Sequence, residues 1–350
     1  MRRALDLFTG NEQALRERYD SNISPTIISA KLKLVDACNL KCFMCRYWTR
    51  KQTGDLSTQE VFRVLDGLAK LQCKKVHFTG GEIFMRKDAL SLMEHAHELG
   101  IRVTLTTNGT LLNKEKIKRL LRIPARSITL SIDGPHPKIH DTIRGQKHAF
   151  KKTMNTLSLL SKHKRPKNKI RINTVVNQRN YMHLPELAYL LQQFSIDSWL
   201  LIPMDSWEEK TKLPTLLDIK RYNTIVAPLL EEIIHLENFS PWIYGKTDGE
   251  LSSSAQQHYA RSYYQKKPCF IPWFHVLVGP KGDVYPCCGT HRLIKPLGNV
   301  RKQGIEELFN GKEYQLFRAQ MRAKRLEQCH HCDDFLSENQ ALEALREKIR

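Results

Sequence analysis

Two hydrophobic rhythms take turns along the chain from residue 27 onward. "IISAKLKLVDA" (27–37) alternates apolar and polar positions and predicts a strand that runs into a loop. "STQEVFRVLDGLAKLQ" (57–72) repeats apolar residues at helical spacing. Ser57 stands as its N-cap and Glu60 three residues on, a capping box. Strands are then predicted over 75–81, 102–109, 127–134, 169–177 and 198–204. Helices fall between them over 88–100, 114–122, 149–163 and 184–194, the first stopped by Gly100. This alternation between residues 29 and 205 predicts parallel βα units, in an open doubly wound sheet or a partial barrel. Near residue 206 the rhythm breaks. "TLLDIKRYNTIVAPLLEEIIHL" (215–236) reads as mainly helical, with an interruption at Pro228, and "KTDGELSSSAQQ" (246–257) reads as loop.

The strands share one habit. Glycine and polar residues gather at their C-terminal ends: Cys38, Gly80-Gly81-Glu82, Thr107-Asn108-Gly109, Asp133-Gly134 and Asn177. In parallel α/β folds the site lies at those ends, although any one such group also marks an ordinary turn.

Composition adds limits. At 41% hydrophobic and 26% charged, 350 residues can bury a real core. The first twenty residues lack the apolar stretch of a signal peptide, and no run approaches the length of a membrane span. A cytoplasmic location is therefore expected, where nine cysteines point to metal rather than disulfides. The net charge of +20 suits an anionic partner. Its densest run, "SKHKRPKNKIR" (161–171), reads first as a solvated loop, and no nucleic-acid signature accompanies it. Neither a nucleic acid nor a membrane is expected as partner.

The cysteines carry the chemistry. Cys38, Cys42 and Cys45 are spaced C-x3-C-x2-C on the loop after the first strand. Three thiolates can hold three irons of a [4Fe–4S] cube and leave the fourth open; a zinc site with a distant fourth ligand is the rival. The spacing resembles that of the radical S-adenosylmethionine (radical SAM) superfamily, and other segments strengthen the resemblance across residues 29–205. "FTGGE" (78–82), "TTNG" (106–109), "SIDG" (131–134) and "HDTIRG" (140–145) fall where that family binds its cofactor.

The resemblance implies a partial (β/α)6 barrel of TIM type with a small C-terminal auxiliary cluster domain. It implies reductive cleavage of S-adenosylmethionine to a 5′-deoxyadenosyl radical that abstracts a substrate hydrogen. By the same resemblance Cys38, Cys42 and Cys45 ligate the cluster. Gly80, Gly81 and Glu82 receive the amino group, Ser131 and Arg144 the carboxylate, and Asn108 lies near the ribose. Met44 stands where relatives place an adenine-contacting aromatic, with Phe43 beside it, and Ile83 replaces the proline of the GGEP form. A flavodoxin- or ferredoxin-type protein is the implied electron donor.

The tail places Cys269, Cys287, Cys329 and Cys332 in "PCFIPWFHVLVGPKGDVYPCC" (268–288) and "CHHC" (329–332). Tetrahedral zinc is one reading of such a set. The layout also resembles the auxiliary-cluster domains called SPASM and twitch, in the shorter single-cluster form, which implies a second, fully ligated [4Fe–4S] cluster that moves electrons. Cys288 competes with Cys287; the G-x4-C spacing from Gly282 favours Cys287. Cys73 reads as a buried structural thiol, and His330 and His331 as exposed neighbours of the cysteine loop. Trp199, Trp207, Trp273 and Tyr285 read as core residues before pocket residues. Asp133 and His140 are candidate bases, against a turn role and a surface role respectively.

The expected organisation is an N-terminal extension over 1–28, the barrel over 29–205 and a mostly helical insertion over 206–265. The auxiliary domain then spans 266–336 and a C-terminal helix 337–350. The leading expectation is an oxidoreductase-type enzyme that oxidises or rearranges a small polar, sugar- or aminocyclitol-like metabolite. The alternative is a maturase of ribosomal peptides by epimerisation, thioether formation or oxidation. The 28 residues ahead of the barrel are too few for the leader-binding module many such maturases carry. A zinc-bound adaptor with a basic surface is the non-enzymatic reading.

Overall fold

A computed structural model gives the architecture. It describes residues 8–50, 53–124, 127–205, 212–261, 263–323, 326, 327, 329, 332 and 336–348. Nine strands form one sheet in the order β6-β5-β4-β3-β2-β1-β7-β8-β9. The first six are β1 Ser29–Lys33, β2 Lys75–Thr79, β3 Arg102–Thr107, β4 Ser127–Ser131, β5 Ile170–Val176 and β6 Ser198–Pro203. They run parallel, and the sheet does not close. This is the partial barrel expected.

Helices cover its outer face. After α1 (Glu12–Ser21) come α2 (Thr58–Lys70), α3 (Ala89–Glu98), α4 (Lys114–Leu120), α5 (Pro137–Arg144), α6 (Ala149–His163) and α7 (Leu184–Leu191). Helix α2 starts where its capping box requires: Glu60 N–H donates to Ser57 Oγ, and Ser57 N–H to the Glu60 carboxylate. Ala30 and Leu32 of β1, Val76 and Phe78 of β2, and Val103 and Leu105 of β3 bury into one core with Leu65, Leu68 and Met93 of the helices. The alternate positions, Lys31, Lys33, His77, Thr104 and Thr106, face the concave side. Strands buried on both faces would be apolar throughout, so this alternation marks a polar chamber inside the barrel.

The region after residue 212 is helical as read, but its irregularity lies ahead of Pro228. Between α8 (Leu216–Arg221) and α9 (Ala227–Ile233) runs a π-turn over Tyr222–Val226. Ala227 N–H donates to Tyr222 O, five residues back. Pro228 has no N–H to give and sits at the start of α9, so the turn before it widens. Of "KTDGELSSSAQQ", Asp248–Ala255 forms helix α10, capped by Thr247 and Glu250, where a loop was expected.

The tail joins the barrel. β7 (His275–Val278) pairs parallel with β1, and β8 (Asp283–Tyr285) and β9 (Gly298–Asn299) continue antiparallel. A second core packs Phe8, Leu15 and Tyr19 against Phe270, Trp273 and Phe274 and against Leu342 and Leu345 of the last helix, Leu336–Glu347. No helix among the described residues is long and apolar enough to cross a membrane.

Candidate functional site

The three-cysteine loop leaves β1 and is fixed from two sides. Gly81 N–H donates to Val35 O at 2.7 Å and Glu82 N–H to Ala37 O at 2.9 Å. Here the glycines serve backbone packing: a Cβ on Gly81 would lie 2.2 Å from Ala37 O, and one on Gly80 2.4 Å from Val35 O. From the other side, Lys41 N–H donates to Arg144 O, and the left-handed C-cap Gly145 leaves room for Lys41 O. Met44 is half-buried in one apolar cluster with Cys38, Cys45, Leu40 and Ala149.

Glu82 is fully buried, and its carboxylate accepts three hydrogen bonds. Thr107 Oγ1 donates at 2.7 Å, Asn108 N–H at 2.7 Å and Phe84 N–H at 3.1 Å. Burial pushes its pKa up against those donors, and burial, with the Glu82 carboxylate adding to it, holds Cys38 up at about 11. The Asn108 amide spans to Asn39 Oδ1 at 2.9 Å, so this residue ties the cysteine loop to β3. Ser131 is half-buried at the end of β4.

Two expectations need correction. Asp133 is no simple turn residue. It has no exposed surface, forms an ion pair with Arg144 Nη2 at 2.7 Å and accepts from Val175 N–H at 2.9 Å. His140 is not on the surface but wholly buried, its Nδ1 accepting from Asp133 N–H at 3.2 Å. Burial, with Arg144 nearby, holds His140 down at about 3, so the ring is neutral. Arg144 thus lies between the Asp133 carboxylate and Cys42 Sγ, which its Nη1 approaches to 3.8 Å. Burial would lower its pKa, but Asp133 and Cys42 more than offset this and the net shift is upward.

Cys269, Cys287, Cys329 and Cys332 line one cavity, walled by Tyr264, Ile271, Pro272, Phe317 and Met321. Cys288 points elsewhere and accepts from Lys31 Nζ at 2.9 Å, inside the barrel. Sequence spacing favoured Cys287 over Cys288, and the geometry separates them in the same sense. Burial pushes Cys287 up to about 12 and raises Cys42. Such thiols ionise only against a cation. No three thiols among the described residues lie mutually within 4.8 Å. A tetrahedral zinc, with Zn–S near 2.3 Å, would draw its sulfurs to within about 4 Å of one another. Both sets are spread more widely than one zinc ion requires, and thiols alone make up the tail set, which fits a cube of iron and sulfide.

Trp273 packs in the second core, 4.7 Å from the Tyr19 ring, and Trp199 donates to Thr174 Oγ1 at 2.9 Å and stacks on Phe239. Cys73 is buried, donates to Lys75 O and is raised to about 12, a structural thiol. Lys164 and Lys169 of the basic run both pair with Asp197. Trp207, His330 and His331 lie outside the described residues.

Residues 32–215, more than half of the chain, match the model of the radical SAM superfamily. The chain belongs to the radical SAM superfamily. Residues 269–333 of this radical SAM enzyme match SPASM, an iron-sulfur cluster-binding domain. Its cofactors are S-adenosylmethionine and two [4Fe–4S] clusters, one that binds S-adenosylmethionine and one auxiliary. The enzyme is 27% identical to an AdoMet-dependent heme synthase of Methanosarcina barkeri over 80% of this chain and 81% of the relative. It is 25% identical to the antilisterial bacteriocin subtilosin biosynthesis protein AlbA of Bacillus subtilis, over 83% of this chain and 61% of AlbA. Its fold is similar to that of Streptococcus suis SuiB bound to S-adenosylmethionine. That likeness has TM-score 0.69 at 18% identity and covers 92% of this chain and 76% of SuiB. SuiB bound to its precursor peptide SuiA is similar at TM-score 0.67 and 19% identity, covering 88% of this chain and 71% of SuiB.

Proposed function

We propose that this radical SAM enzyme is an oxidative peptide maturase. Cys38, Cys42 and Cys45 hold the cluster that binds S-adenosylmethionine, and Cys269, Cys287, Cys329 and Cys332 hold the auxiliary one. The observation that carries the proposal is the β1–β7 seam. It joins the strand that precedes Cys287 to the strand that runs into the three-cysteine loop, side by side in one sheet. The likeness to AlbA and to peptide-bound SuiB favours a peptide over the sugar-like metabolite expected first.

With both clusters and S-adenosylmethionine in place, the cofactors supply a 5′-deoxyadenosyl radical and a route for one electron. The chain's residues supply position and charge. Glu82, already tied by Thr107 and Asn108, is set to take an ammonium at the strand ends. Arg144, braced by Asp133, keeps a fixed positive charge beside Cys42 and, with Ser131, offers donors to a carboxylate. The side chains around the tail thiols are mostly apolar, which suits a shielded cofactor. Electrons enter from a flavodoxin- or ferredoxin-type donor.

A second reading, oxidation of a carboxylated tetrapyrrole, draws on the heme synthase likeness and on the cations lining the chamber. The test incubates reduced, cluster-loaded protein and S-adenosylmethionine with peptides from neighbouring short genes or with iron coproporphyrin. We expect 5′-deoxyadenosine and a peptide lighter by hydrogen. Turnover of the porphyrin with no change in any peptide would sink the maturase reading.

A further inference from the structure

The chamber carries more positive charge than the proposed chemistry uses. Lys33 Nζ lies 2.7 Å from Tyr47 Oη and 3.1 Å from His291 Nδ1. Burial, then Lys33 and Lys31, holds His291 down at about 3, so its neutral ring accepts from the lysine. Next to it Arg292 sits in the left-handed region, φ 66, a conformation unusual for a side chain of this size. Its Nη2 contacts both oxygens of Asp36, at 2.8 and 2.6 Å. Arg50, from the end of the three-cysteine loop, lies 3.9 Å from the same carboxylate, beyond hydrogen-bond reach. Its buried Nη1 has no acceptor, and its guanidinium lies 4.7 Å from the Tyr47 ring centre.

These groups surround a pocket of about 470 Å³ between the cysteine loop and the β7–β8 hairpin. Arg50, Lys281, Arg292 and His291 line it, with Asp36 and Asp283 as its acids. Asp283 is engaged by Asn299 Nδ2 at 2.9 Å, and Asp36 by Arg292. Arg292 and Asp36 satisfy each other, so Arg50 and Lys281, with Lys33 behind them, face Asp283 as the remaining acid. Donors that outnumber acceptors in a partly desolvated cleft favour an anion, and a planar guanidinium suits a carboxylate by geometry.

We infer that this pocket is a carboxylate-binding subsite that anchors the substrate, with Arg50 and Lys33 as positioning residues. The inference rests on the reading of the barrel chamber as the substrate site. It names the substrate class: a molecule bearing a carboxylate, in the side chain of an acidic peptide or on a small acid. The pocket is lined both from the end of the three-cysteine loop, by Arg50, and from the tail, by His291 and Arg292.

Equilibrium binding to the cluster-loaded, full-length protein tests it. Fluorescein-labelled hexaglutamate and hexaglutamine peptides are titrated anaerobically by anisotropy, with citrate as competitor. Hexaglutamate should bind and hexaglutamine should not. Arg50→Gln and Lys33→Met should each weaken hexaglutamate by about tenfold or more, the range for truncating a charge partner. Lys151→Gln, which removes the same charge from exposed helix α6, should change it little. Displacement by citrate assigns the subsite to carboxylates in general; failure of citrate to displace assigns it to an acidic peptide. Equal binding of both peptides, or equal effects of Arg50→Gln and Lys151→Gln, would overturn the inference. Product mass tests the maturase reading and binding tests the subsite, so either can fail alone.

Discussion

The two thiol sets of this chain are alike in chemistry, and both touch apolar side chains, but charged groups stand beside the first. Around Cys38, Cys42 and Cys45 stand charged groups: Glu82 and the Arg144–Asp133 pair. Around Cys269, Cys287, Cys329 and Cys332 stand Ile271, Pro272, Phe317 and Met321. A set with charges beside it can orient a zwitterion; a set walled by hydrocarbon can only hold its cofactor and shield it. The wall also raises the effective strength of any charge it encloses. In the proposed reading, one loop receives a visiting ligand and the other holds its cluster permanently.

The largest effect separates the sets directly. Cys42→Ala should abolish 5′-deoxyadenosine formation, whereas Cys329→Ala should keep some cleavage and lose product; chromatography of both reactions checks this. Undiminished cleavage by Cys42→Ala would remove the basis of the comparison. Next comes the charge beside the first set. Arg144→Leu leaves the Asp133 carboxylate buried without its cation, and should cost about 3–5 kcal/mol in urea unfolding. A loss below about 1 kcal/mol would mean that Asp133 is not held by this pair.

Backbone crowding gives the third contrast. Gly81→Ala must push Ala37 O away from 2.2 Å and should cost about 1–3 kcal/mol, as overpacking does. Gly249, in helix α10 and away from both thiol sets, has nothing within 4 Å of an added Cβ, and Gly249→Ala should be near neutral. Equal costs would mean that the cysteine loop is no more crowded than that helix.

The smallest effect concerns the seam. His275 in β7 contacts Ser29 Oγ at 2.8 Å, and burial, then Lys31 and Lys75, holds it down at about 3. A lowered histidine stays neutral in the fold and protonates first in the unfolded chain. Its stabilising share is complete above pH 6.5, the ordinary histidine value, and falls as pH drops toward 3. The slope is at most about 1.4 kcal/mol per pH unit. Thermal unfolding of His275→Gln between pH 7 and 5 should therefore depend less on pH than that of the parent.

Much of the barrel was legible because periodicity and capping agreed, as at Ser57 and Glu60. Helix α5 escaped the reading. It has eight residues and two apolar positions one turn apart, Ile139 and Ile143, too few to show a period. Pro137 at its start and Gly145 just past its end were the available signals. The Asp133–Arg144 pair could not be read, because a loop and that helix bring the two together. The seam escaped for a similar reason. "HVLV" is a four-residue apolar run, and nothing local says that it pairs with β1 rather than forming its own sheet. Cys287 and Cys288 differ by one residue in sequence, and only the fold turns one toward the cavity and the other toward Lys31.

The central claim is that one cluster is open to S-adenosylmethionine and the other is closed. Electron paramagnetic resonance of the reduced protein, with and without S-adenosylmethionine, tests it in the parent, Cys42→Ala and Cys329→Ala. The signal that persists in Cys329→Ala should shift on addition of S-adenosylmethionine, and the signal that persists in Cys42→Ala should not. A shift in Cys42→Ala, with none in Cys329→Ala, would contradict the claim.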